Sequence, residues 1–226
     1  MLFKYLPIDK IISPCYNISN DIYHPIYYNY PKEKQKMAPK QKISKEELLQ
    51  CAYEIILESG SEALTVRSLA KRANCSIQPV FSRFETASAL KEEAFDYVCA
   101  VCVKEISEYS GNSENLAKSS EWVLRLATER PNLFKFLYLS DSYKSKNLLT
   151  QMLSYSCNMA TLERMSELYS LSRESCLDIL QRSFLLLHGT ASMMCVNHID
   201  LTIEAGLDIM KRTVAEMVKA AKEAEK

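Results

Sequence analysis

"LTVRSLAKRANCSIQPVFSRF", residues 64–84, carries the basic side chains Arg67, Lys71, Arg72 and Arg83 and no acidic one. The chain as a whole balances 28 Lys and Arg against 28 Asp and Glu over 226 residues, so this window departs locally from neutrality. It also holds two apolar stripes at helical spacing with almost nothing between them. Thr65 offers an N-cap, after which Val66, Leu69, Ala70 and Ala73 fall on one side of a helix and Arg67, Lys71 and Arg72 on the other. Asn74 follows, the residue that after glycine best tolerates a left-handed backbone. Ser76 can cap a second short helix, with Pro79 in its first turn, where the N–H has no intrahelical partner anyway. Ile77, Val80, Phe81 and Phe84 form the inward stripe of that helix, leaving Ser76, Gln78, Pro79, Ser82 and Arg83 outward.

Two short helices joined by a three- or four-residue turn make a helix-turn-helix, whose second helix can enter the major groove of DNA. Basic outward positions suit phosphates, and short polar side chains at the helix start suit base edges. A solvated helical hairpin inside an all-α protein would show the same spacing. The absence of acids is what favours DNA.

Upstream, "ISKEELLQCAYEIILESG" (residues 43–60) opens with a capping box in which Ser44 and Glu47 satisfy each other's backbone N–H groups. Leu48, Leu49, Ala52, Ile55 and Ile56 then share one helix face, Gly60 suits the left-handed C-terminal position, and Lys45 is a further candidate for backbone contact. Residues 1–36 read differently. They hold six of the thirteen Tyr, and Ile, Asn, Tyr and Lys fill 20 of the 36 positions without a sustained period. The expectation is a disordered or non-native leader with Met37 as the natural start; a mobile basic arm is the alternative.

This order of residues resembles the tetracycline-repressor (TetR-like) family of bacterial transcription regulators over about 50 residues, from the first helix through "LTVRSLAKRANCSIQPVFSRFETASALKEEAF". The matching positions are Thr65, Val66, Arg67, Leu69, Ala70, Ala73, Ser76, Phe84 and Leu90. Asn74 stands in place of the family's Gly and Cys75 in place of Val. Phe81 replaces a Tyr whose hydroxyl would reach a phosphate, and Ala87 replaces a phosphate-contacting Lys. Gln78, where Gly is common, adds an amide able to read adenine N6 and N7. The resemblance implies an all-α protein with a three-helix DNA-binding domain over 37–95 and a larger helical effector-binding and dimerisation domain over 96–226. It implies a dimer through the last two long helices, a palindromic double-stranded DNA operator, and release by a small-molecule effector. Its DNA-binding set comprises Lys45, Thr65, Arg67, Lys71, Ser76, Ile77, Gln78, Pro79, Phe81, Ser82 and Arg83, with Gln78 first for base reading.

The rest of the chain fits a helical body. Only four Gly occur, and five of the seven Pro lie in the first 39 residues, so breakers are scarce from Gln41 onward. "FETASALKEEAFDYVCAVCVKEISEYS" reads as one long helix capped by Thr86. A second helix ends near Arg130, and Pro131 begins the next. "ESCLDILQRSFLLLHGTASMM" and "DLTIEAGLDIMKRTVAEMVKA" give two more amphipathic helices. Trp122, Phe134, Tyr138, Met152, Tyr155, Met159, His188 and Met193 are the candidate effector-pocket residues, and each also suits ordinary core packing.

Catalysis, metal and membrane readings find little. Ser68–Lys71 and Ser88–Lys91 match S-x-x-K without the accompanying S-D-N or K-T-G. Of eight Cys, only Cys99 and Cys102 form a C-x-x-C, with no second pair and no nearby His. The expectation is a cytoplasmic regulator, not an enzyme, needing no cofactor and no metal and not crossing a membrane. The rival expectation is an all-α structural dimer that does not bind DNA specifically.

Overall fold

In a computed structural model of the chain, residues 43–110, 116–140, 156–197 and 199–226 are described, and all of their regular structure is helical. The leader, residues 1–36, lies outside them. Lys45–Ser59 forms α1, Val66–Arg72 α2 and Ile77–Arg83 α3. Ala87–Ser110 forms α4, Leu116–Glu129 α5 and Pro131–Tyr138 α6. Ser156–Tyr169 is α7, Arg173–Ser192 α8, continued by a π-helical turn at Met193–Asn197, and Ile203–Ala224 is α9. No described helix is long and apolar enough to cross a membrane.

Local chemistry sets these boundaries. At the start of α1 the Ser44 hydroxyl accepts from the Glu47 N–H at 3.1 Å, and the Glu47 carboxylate accepts from the Ser44 N–H at 2.7 Å. Those bonds favour the charged carboxylate and hold the Glu47 pKa below its usual value. Gly60 ends the helix at φ +80°, a conformation that a side chain would strain. Thr86 caps α4, accepting from the Ala89 N–H at 3.0 Å. Pro131 occupies the first turn of α6, as its fixed φ favours.

Packing produces two apolar clusters. The larger runs from Leu48 and Ile56 of α1 through Leu69, Val80 and Phe84 into Leu90 and Val98 of α4, and on to Leu124, Phe134 and Cys195. The helix pair therefore shares one continuous buried interior with the helices behind it. Phe95 of α4 meets Phe136 of α6 edge to face at 5.7 Å between ring centres. The smaller cluster joins α7, α8 and α9 through Leu162, Met165, Tyr169, Ile179, Val214 and Val218. Gly206 of α9 lets that helix approach α5, because a Cβ there would stand 3.3 Å from Leu124.

Polar ties join α1 to the body. Asn132 of α6 donates to the Leu57 carbonyl at 3.1 Å, satisfying one of the last-turn acceptors of α1. Arg130 grips Glu105 of α4 through two bonds of 3.1 and 2.7 Å and lies 5.6 Å over the Trp122 ring. Burial, first, and then the nearby Glu105 carboxylate push the Tyr53 hydroxyl above its usual pKa, which places α1 at this junction too.

Candidate nucleic-acid interface

The turn between α2 and α3 is built as the sequence leads one to expect. Asn74 adopts φ 49°. The Asn74 N–H donates to Lys71 O at 3.2 Å and the Cys75 N–H to Ala70 O at 3.0 Å, the two bonds of a Schellman closure. At the other end of α2, the Thr65 hydroxyl accepts from the Ser68 N–H at 3.1 Å, and the Ser68 hydroxyl oxygen accepts from the Thr65 N–H at 2.9 Å. Ser68 also donates to Ala63 O at 2.6 Å. The N-terminus of α2 is thus tightly held.

Ser76 occupies the N-cap position of α3 with extended dihedrals, but its side chain makes no capping bond. This corrects the expectation of a hydroxyl cap. Pro79 at the third helical position has no N–H to offer, so α3 starts with one donor fewer to satisfy.

The apolar stripe of α3 also needs correction. Val80 and Phe84 are buried as expected, but Ile77 is 49% and Phe81 54% exposed. A seven-residue helix resting on its neighbours buries only one edge of a four-residue stripe, and here that edge is Val80–Phe84. The exposed side of α3 therefore presents Ile77, Gln78, Phe81 and Ser82, with half-buried Pro79 beside them and Arg83 at the end. Ser82 donates to Pro79 O at 2.7 Å, and Arg83 reaches the Ile43 carbonyl at 3.5 Å.

The cations divide into two groups. Arg67 and Lys71 are exposed along α2, with the exposed N-cap Thr65 at its start. Arg72, which the sequence placed outward with them, is turned back onto α1, clasping Glu58 through both terminal nitrogens and reaching Glu54 at 3.3 Å. That bonding holds the Glu58 pKa below the usual carboxylate range. Lys45 is likewise engaged, paired with Glu93 of α4 and lying 5.5 Å from the centre of the Phe84 ring. No sequence spacing signals these long-range partners.

The fold can now be compared with known structures. The chain is similar to a transcriptional regulator from Rhodococcus sp. RHA1, with a TM-score of 0.55, 17% sequence identity, and coverage of 79% of this chain and 98% of that one. A TetR transcriptional regulator from Rhodococcus sp. RHA1 aligns with a TM-score of 0.44 and 16% identity over 76% of this chain and 94% of its own. The chain has a transcriptional regulator's fold. No family model and no curated protein matches the sequence.

Behind the head of this regulator fold, the structure brings some of the expected pocket residues together. Tyr138 of α6 lies 5.2 Å from Phe134 and 4.7 Å from His188 of α8, ring centre to ring centre. Phe184, one turn before His188 and missed in the sequence, packs on it at 4.2 Å. Its position four residues away on the same helix face was the available signal. Burial lowers the His188 pKa to about 4, so the ring is neutral near pH 7. Trp122 is buried and set against Arg130. Met193 stands 49% exposed on the π-helical turn and does not line an interior. Met152 and Tyr155 fall outside the described residues, and Met159 lies on α7 with its side chain outside them.

Other candidate chemistry is accounted for by packing. Burial pushes the Cys99 and Cys102 thiols up to about 12, so neither is a thiolate near neutrality. Ser68 is committed to the α2 cap, and Ser88 donates to Glu92 at 3.2 Å. Among the described residues, no group of three His, Cys, Asp or Glu could hold a metal ion.

Proposed function

We propose that this chain is a sequence-specific DNA-binding regulator of transcription, with α3 as the helix that enters the major groove. The observation that carries this reading is the exposed, acid-free face of a helix-turn-helix, within a fold shared with a transcriptional regulator. Gln78 reads a base edge, with Ser76, Ile77, Pro79, Phe81 and Ser82 around it. Thr65, Arg67, Lys71 and Arg83 position the phosphate backbone. Lys45, already paired with Glu93, contributes least of the set.

The protein acts as a homodimer on a palindromic operator, as two-fold symmetry requires of two identical heads. Leu185, Val196 and Ile209 are exposed on α8, the π turn and α9, and supply apolar surface for that dimer. A small-molecule effector binds beside Phe134, Tyr138 and His188 and favours a body conformation in which the heads are wrongly spaced. It does so through differential affinity for the two states. The route to the head is short, because Asn132 and Arg130 tie the body to α1 and α4. Repression is the expected outcome, and no catalytic step is assigned.

Binding of the full chain to its own upstream intergenic DNA, titrated with salt against a scrambled duplex, tests this reading. Gln78→Ala should cost about 1–3 kcal/mol at one base position and little elsewhere. Arg67→Ala should weaken all sequences alike and reduce the salt slope by about one. Equal binding of both duplexes by a folded dimer would remove the specific-regulator reading.

A further inference from the structure

The outward face of α3 consists of two parallel rows, Ile77 with Phe81 and Gln78 with Ser82, each pair one helical turn apart. Three of its features bear on which bases such a face can recognise. Ile77 and Phe81 are half exposed, although Val80 of the same helix and Phe84 at its C-cap are buried. The only cation of α3 is Arg83, on its last residue and directed toward the Ile43 carbonyl. No residue of α3 carries a carboxylate.

In the major groove guanine is read mainly by Arg or Lys, cytosine by a carboxylate accepting from N4, adenine by Asn or Gln, and the thymine methyl by apolar contact. The face of α3 lacks the first two reagents and holds the last two. Resting on the DNA-binding reading above, we propose that Phe81 and Ile77 contact thymine C5-methyl groups beside an adenine read by Gln78. The core of each operator half-site is then a run of A·T pairs. At about 1.5 Å per residue, seven residues extend roughly 10 Å, or about three base pairs at ~3.4 Å each.

The occupant of this apolar patch is a nucleic acid rather than an apolar protein surface because of its surroundings. Arg67 and Lys71 lie exposed on the adjoining helix, and residues 64–84 contain no acid. Phe81 is suited to the task in a second way. With no hydroxyl to satisfy, its ring edge can approach a methyl group without leaving a polar atom dry.

The test begins with the full chain selecting sites from a random duplex pool. Each thymine of a selected site is then replaced by uracil, which removes only the methyl group. Wild-type protein should lose about fourfold in affinity for each contacted methyl. Phe81→Ala, folded and still bound to the duplex, should be indifferent to uracil at the thymine that Phe81 contacts, whereas Phe81→Tyr, which keeps the ring, should stay sensitive. Selected half-sites with G·C cores would overturn the inference while leaving sequence-specific binding intact. So would uracil substitutions without effect, or a Phe81→Ala variant as sensitive as wild type. A pool that enriches no sequence would overturn the DNA-binding reading, and this inference with it.

Discussion

Phe81 and Phe134 are the same residue on two short helices, in opposite circumstances. Phe134 is fully buried on α6, an eight-residue helix that also buries Leu133, Phe136 and Leu137. Phe81 is more than half exposed on α3, a seven-residue helix that buries only Val80 between its ends. The body spends its aromatic side chains on cohesion, whereas the head leaves one in water beside cations. Single exposed apolar residues are ordinary, but two on one turn of a helix within an acid-free surface mark a place for contact. Burial thus separates a residue that holds the fold from one that serves it.

The largest expected effect tests that separation directly. Phe134→Ala should destabilise the protein by about 3–5 kcal/mol, through lost transfer energy and the cavity left behind. Phe81→Ala should shift stability by no more than about 0.5 kcal/mol. Denaturant midpoints at constant slope measure both. Comparable losses at the two positions would mean that Phe81 is a core residue after all, and the contrast would collapse.

The head was far more legible in the sequence than the body, for physical reasons. Caps, a left-handed Asn74 and the buried residues Leu69, Val80 and Phe84 are local signals, fixed by neighbours within one or two turns. The exposure of Ile77 and Phe81 is not legible in the sequence, because periodicity marks a stripe about a third of a helix wide, not which edge of it meets a neighbour. The Arg72–Glu58, Lys45–Glu93 and Arg130–Glu105 pairs join residues 14, 48 and 25 positions apart, where spacing carries no information. The aromatic cluster in the body was half legible. Composition marks Tyr138 and His188 one by one, but only packing of α6 on α8 shows that they meet.

A second difference between the two regions lies in their response to acid. The body cluster holds a histidine that burial keeps neutral, and the exposed face of the head holds none. With an unfolded value near 6.5 and a folded value of about 4, His188 binds its proton more readily in the unfolded chain throughout that interval. The folded state therefore loses stability as pH falls from about 6.5 toward 4, and recovers it as pH rises. Between pH 7 and pH 5 the loss through this group is about 2 kcal/mol. His188→Phe, which keeps a ring against Tyr138 and Phe184, should abolish that increment of acid sensitivity, read as the difference in urea midpoint at the two pH values. An unchanged acid response would place the titration elsewhere and leave His188 a solvated surface ring.

The smallest effect lies within the head itself, between its two N-caps. Thr65 holds α2 through reciprocal bonds with Ser68, so Thr65→Ala frees a backbone donor and should cost about 1 kcal/mol. Ser76 sits at the equivalent place on α3 without a capping bond, so Ser76→Ala should change stability by less than about 0.5 kcal/mol. The asymmetry has a structural logic. α2 is held on α1 by Arg72 and at its own start by the cap, and α3 is carried on α2 through the Asn74 turn and the burial of Val80 and Phe84. The first-turn N–H groups of α3, at Ile77 and Gln78, then receive no bond from the Ser76 side chain. If Ser76→Ala costs as much as Thr65→Ala, the serine caps α3 in solution, and the contrast between the two N-caps disappears.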